Sequence, residues 1–164
     1  MNPHLDVRTP FAGALIMVLA ACGGPDANPP TTAATARVSY ESGVRQLVAK
    51  RCGQCHGPSS PTMAEFERNK QGYKDKKLGP RYDTYEHLMV VVNGSDTGAL
   101  MRRLDDGTGT KDGKRGNMHD HLGADDAERA SNLAIFKRWV GGWTLKRAAD
   151  ISAEERAAIL APRN

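Results

Sequence analysis

Cysteine is scarce in this chain, three residues in 164, and aromatic side chains make up only 5% of it against 39% apolar residues. A core assembled from these side chains alone would be modest for the length, so a large apolar group held inside the fold would help fill it. No β-rich segment or hairpin signal interrupts the chain, which argues against a sheet-based architecture. No internal repeat of roughly 20–50 residues is visible, which excludes a solenoid or propeller. The charge surplus is mild, +4.

The N-terminus carries the clearest compartment signal. Phe11 to Ala21 (FAGALIMVLAA) is an apolar run too short to span a bilayer comfortably, and Arg8 lies in the polar stretch ahead of it, with Asp6 offsetting its charge. It reads as an export signal over residues 1–21. Its end, Leu19-Ala20-Ala21-Cys22, resembles the lipobox of bacterial lipoproteins, in which the cysteine is acylated and becomes the first mature residue. Cys22 would then fix the protein to a membrane surface. An ordinary cleaved signal and an uncleaved membrane stub are the other readings of this segment. Gly23 to Ala36 (GGPDANPPTTAATA) has no large apolar side chain, cannot offset the entropy of ordering, and reads with Cys22 as a flexible tether, 22–36. Residues 37–164 fit one domain.

Within that domain the apolar spacing predicts helices. Ser39 to Lys50 places Tyr40, Val44, Leu47 and Val48 on one side, with Ser39 as N-cap. Residues 57–81 read as loop, broken by Pro58, Pro61, Gly72, Gly79 and Pro80, with a short helical segment over Met63 to Asn69. Thr84 to Val92 reads as a helix stopped by Asn93-Gly94, although its three valines would also suit a strand. Residues 105–117, rich in glycine and lacking large apolar residues, must be surface loop. Asp125 caps the strongest helix, with Glu128 placed to complete a capping box, Leu133, Phe136, Trp139 and Val140 on adjoining faces, and Gly141-Gly142 as the stop. Ser152-x-x-Glu155 announces a last short helix ahead of Ile159 and Leu160. The fold class expected is therefore all-α.

Cys52-Gly-Gln-Cys55-His56 follows the first helix at once. A C-x-x-C-H run has three readings: a redox-active disulfide, half of a zinc site, or covalent haem attachment. Disulfide oxidoreductase sites open a helix after a βαβ strand, whereas here a helix precedes the motif and no strand pattern lies nearby. A structural zinc needs a second pair at short spacing, and the later candidates are His87 and the His119-x-His121 pair, separated by a single residue. Haem attachment needs only what is present: two thiols at helical spacing for the two vinyl groups and an imidazole on the next residue. Haem c, one per chain, held by Cys52 and Cys55 with His56 as the proximal iron ligand, is the reading that export and the helical pattern favour.

The order of parts resembles a monohaem class I c-type cytochrome: a helix containing Gly43, then C-G-Q-C-H, a long middle, a Met before a C-terminal helix, and W-V-G-G-W near its end. The resemblance covers roughly residues 39–143, leaving a C-terminal extension from about 144. It implies that Gly43 meets Phe136 or Trp139 where the first and last long helices cross. It also implies a distal methionine a few residues ahead of the C-terminal helix, which is Met118. Where the family often has Pro after that Met, this chain has His119, with His121 close behind; either could displace Met118. Met101 is the competing methionine, Met89 reads as core, and Met63 lies too near the motif. A thioether opposite an imidazole raises the potential and keeps the iron six-coordinate, which suits a carrier.

The function expected is a membrane-tethered, periplasm-facing carrier of single electrons between redox partner proteins, not an enzyme. The alternative is a haem enzyme or gas-binding module with an open or exchangeable distal site, in which His119 or His121 serves as acid or base. A structural zinc or thiol protein is the third possibility. Arg68, Lys70, Lys74, Lys76, Lys77 and Arg81 form either a docking patch for an acidic partner or a solvated loop. Nucleic-acid binding is excluded by export and by the lack of interleaved aromatics. Asp105, Asp106 and Asp112 fail the spacing of a calcium loop.

Overall fold

A computed structural model describes residues 37–164; the segments expected to be export signal and tether, Cys22 included, lie outside the described residues. The chain enters through a π-helical turn, Tyr40–Val44, that runs straight into α1 (Arg45–Arg51), followed by α2 (Gly53–His56), α3 (Met63–Arg68), α4 (Lys70–Asp75), α5 (Tyr85–Val92) and α6 (Ala99–Leu104). A 3-10 turn, His119–Leu122, leads into α7 (Asp126–Val140), and a second, Ala148–Asp150, into α8 (Ala153–Ala157). The described residues contain no strand, only one isolated bridge between Gly141 and Ile159. None of the described helices is long and apolar enough to cross a membrane.

The start signals are realised by side-chain caps. Ser39 accepts from the Ser42 amide, Thr62 from the Glu65 amide and Ser152 from the Glu155 amide, each in a capping box, and Thr84 accepts from the His87 amide. Asp125 caps α7 by accepting from the Glu128 amide at 2.8 Å. The expected reciprocal bond at α7 is absent, because the Glu128 carboxylate accepts instead from the Ala124 amide (2.8 Å) and from Arg51 at the end of α1. That diversion ties the helix preceding the motif to the start of α7. Two helices go beyond the reading from sequence. α4 starts on the Asn69 side chain, which accepts from the Gly72 amide, and α6 starts on Gly98 at φ 77° with no side-chain cap.

The core joins Tyr40, Val44, Leu47 and Val48 of the first helix to Leu88, Val91 and Val92 of α5, Leu100, Met101 and Leu104 of α6, and Leu133, Phe136, Trp139 and Val140 of α7. Burying each large apolar side chain contributes about 1.5–3 kcal/mol. At the helix crossing, a Cβ on Gly43 would touch only Val38 and Ile135, so Ile135 stands opposite it, while Trp139 packs near Tyr40 with ring centroids 6.3 Å apart. The side chain facing the Cβ direction of Gly43 is thus Ile135, one position before Phe136, while the expected alternative partner Trp139 joins the crossing through Tyr40. Residues 144–164 fold back onto this crossing. The Tyr40 and Glu41 amides, left without intrahelical partners at the helix start, donate to the Pro162 and Arg163 carbonyls at 2.9 and 3.1 Å. The Trp139 indole donates to the same Pro162 carbonyl (2.9 Å), and the Tyr85 hydroxyl to that of Ala161 (3.0 Å).

Candidate haem site

The motif occupies the joint between α1 and α2. The Cys52 amide closes α1 on the Val48 carbonyl (2.8 Å), and the Cys52 carbonyl then accepts from both Cys55 (3.1 Å) and His56 (2.9 Å). One turn of helix therefore presents two thiols and an imidazole together. Both cysteines are free and half-buried. Burial, with the neighbouring Cys55, pushes the Cys52 thiol up to about 11. A redox-active dithiol requires the opposite shift, since the thiolate is the nucleophile.

Three contacts fix the His56 ring. Its Nδ1 donates to the Pro80 carbonyl at 2.6 Å, because a carbonyl can only accept. Tyr82 stacks on one face, with ring centroids 4.6 Å apart and planes 13° from parallel, and its amide donates to the His56 carbonyl (2.9 Å). Gly79 lies against the edge so closely that a Cβ there would come within 2.2 Å of His56 Cε1. Nδ1 thus holds the proton and Nε2 keeps its lone pair, with no hydrogen-bond partner among the described residues. Burial lowers the imidazole's proton affinity, the Arg103 and His121 charges act the same way, and the Pro80 bond opposes them. A neutral, oriented imidazole with a free Nε2 and two unbridged thiols one turn away is the donor set a covalently held haem requires. Gly79, Pro80 and Tyr82 were not singled out from sequence as site residues. In the sequence the Gly79-Pro80 pair signals only a break in the loop, and nothing there marks Tyr82 as a neighbour of His56.

Met118 is half-buried at the margin of the core, its amide donating to the Arg103 carbonyl (2.9 Å). Met101 is buried on α6 at 2% exposure, and Met89 and Met63 pack against the core's edge. His119 is buried with Nδ1 on the Leu104 carbonyl (3.0 Å), whereas His121 is exposed. His87 is engaged by Asp83 (3.2 Å) and Thr84 (3.1 Å). Among the described residues, no cluster of three or more His, Cys, Asp or Glu could hold a metal, as a zinc or calcium reading would need. The carboxylates of the 105–117 loop are engaged separately, Asp105 with the Gly107 amide, Asp106 with Thr108 and Lys137, and Asp112 with Lys114. Arg68, Lys74, Lys76 and Lys77 are exposed on and after α3 and α4, while Lys70 pairs with Glu67 (2.9 Å) and Arg81 with Asp83 (2.6 Å).

A helical domain that presents C-x-x-C-H with its imidazole oriented in this way defines a monohaem c-type cytochrome. The chain belongs to the PccH cytochrome c family, whose description matches residues 39–159. It is similar to the solved structure of the monohaem cytochrome PccH from Geobacter sulfurreducens, at 46% identity and a TM-score of 0.72, over 77% of this chain and 98% of that one. No curated protein sequence matches the chain. Membership carries one covalent haem c per chain, an electron-transfer role with redox partners, and export. The match extends past residue 143, so much of the tail belongs to the family's domain.

Proposed function

We propose that the protein is a periplasm-facing carrier of single electrons, tethered to a membrane by lipid on Cys22. In this reading Cys52 and Cys55 bond haem c, His56 Nε2 ligates its iron, and Met118 is the distal ligand. The bound haem contributes the one-electron Fe(III)/Fe(II) couple. The observation that carries the reading is the His56 ring, whose Nδ1 is committed to the Pro80 carbonyl at 2.6 Å so that only Nε2 is left to coordinate. Tyr82 and Gly79 keep that ring from turning, which fixes the direction in which Nε2 points. Met118 offers a soft, uncharged sulfur, which favours the reduced iron relative to a second imidazole. His119, tied to the Leu104 carbonyl, is poorly placed to shuttle protons, which favours the carrier over an enzyme.

Replacing Met118 with Ala tests the assignment. The variant should lose the axial thioether methyl resonance in the reduced NMR spectrum, acquire a lower midpoint potential and bind carbon monoxide that the parent resists. Retention of the methyl resonance would transfer the role to another methionine, Met101 first.

A further inference from the structure

We propose that His119 is a positioning residue that clasps the Met118 loop to the end of α6, an inference that rests on Met118 as distal ligand. A helix leaves its last carbonyls without intrahelical donors. At the end of α6 three successive carbonyls, of Arg103, Leu104 and Asp105, are taken by one short stretch of chain. The Met118 amide donates to Arg103 (2.9 Å), the His119 Nδ1 to Leu104 (3.0 Å) and the Gly116 amide to Asp105 (2.8 Å). The middle rung is the only one made by a side chain, and it is shielded from water, His119 being 3% exposed. The loop approaches α6 so closely that a Cβ on Gly116 would fall 2.3 Å from the Arg103 carbonyl oxygen. The residue next to Met118 therefore fixes where the loop carrying the sulfur sits, and its ring nitrogen is engaged in that task.

The side chain acts through Met118, so the readout is how easily the distal position opens. The probe is free imidazole titrated into the ferric holoprotein, with the axial thioether methyl resonance recorded on the reduced form. His119→Leu removes the middle rung; losing one hydrogen bond should raise apparent imidazole affinity roughly fivefold to tenfold. His119→Asn, whose amide nitrogen stands where Nδ1 does, should return to the parent value. If His119→Leu does not accumulate as holoprotein, His119→Phe, which keeps a flat ring but has no N–H to donate to the Leu104 carbonyl, takes its place and should behave as the leucine variant was expected to. Unchanged imidazole affinity in the variant lacking the rung, or no recovery in His119→Asn, overturns the clasp while leaving Met118 as ligand. Absence of the thioether resonance from the parent protein overturns the ligand assignment and the clasp together.

Discussion

The proximal side of the site, from Cys52 to Tyr82, is built from one continuous stretch of chain: both thiols and the imidazole share a helical turn, and the ring is fixed by Gly79, Pro80 and Tyr82. With Met118 as the proposed ligand, the distal side is assembled across the fold, where the loop bearing Met118 acquires its place by bonding to the carbonyl end of α6. On this assignment covalent capture of the cofactor depends on local geometry, whereas a sixth ligand at Met118 depends on two segments keeping their register. Changes on the proximal side should abolish the holoprotein or distort its fixed ligand. Changes on the distal side should leave the haem in place and alter how firmly the sixth position is held.

The largest effect expected is from Cys52→Ser combined with Cys55→Ser. The exported protein should carry no haem that survives acidic solvent extraction, and an unextractable haem would place the attachment elsewhere. Next come Gly79→Ala and Gly116→Ala, in which the added Cβ meets His56 Cε1 at 2.2 Å and the Arg103 carbonyl oxygen at 2.3 Å. Each overpacked variant should lose about 1–3 kcal/mol in denaturant unfolding. Gly79→Ala should shift the proximal imidazole resonances and Gly116→Ala the thioether methyl; identical spectral changes in both would erase the distinction between the two sides.

A smaller effect is expected at the tail. Tyr85→Phe keeps the ring and removes only the hydroxyl bond to the Ala161 carbonyl, a loss of about 1 kcal/mol measurable as a lower thermal midpoint. Smallest is the link between α1 and α7. The Glu128 carboxyl is held down to about 2 by the Ala124 amide and by Arg51. Because its folded value lies below the ordinary 4.5, the stabilisation is present above that pH and fades as pH falls toward about 2. Glu128→Gln should therefore be less stable than the parent near neutrality, and the difference in thermal midpoint should shrink on acidification.

The same division explains what could be read from the sequence. Ser39, Asp125 and Ser152 cap helices through the amides of residues three further on, and the C-x-x-C-H motif is itself a single turn, so both are legible as local patterns. α4 was not, because its residues are polar and its start depends on Asn69; α6 was not, because its apolar residues are buried without a polar cap at Gly98. The tail from residue 144 reads as an extension because it holds the helix crossing through the carbonyls of Ala161, Pro162 and Arg163, and backbone acceptors leave no signature in residue type. Tyr82 is a similar case: nothing in its identity announces that the turn at Gly79-Pro80 lays it on His56. Met118 was legible as a candidate only through the order of parts, while the three carbonyls that hold its loop are a property of the fold.

The attachment site is tested most directly by mass spectrometry of the tryptic peptide 52–68 from the exported protein after denaturation and treatment with a thiol alkylating reagent. That peptide should carry the mass of one haem with neither Cys52 nor Cys55 alkylated. A peptide free of haem and alkylated on both cysteines would contradict the account.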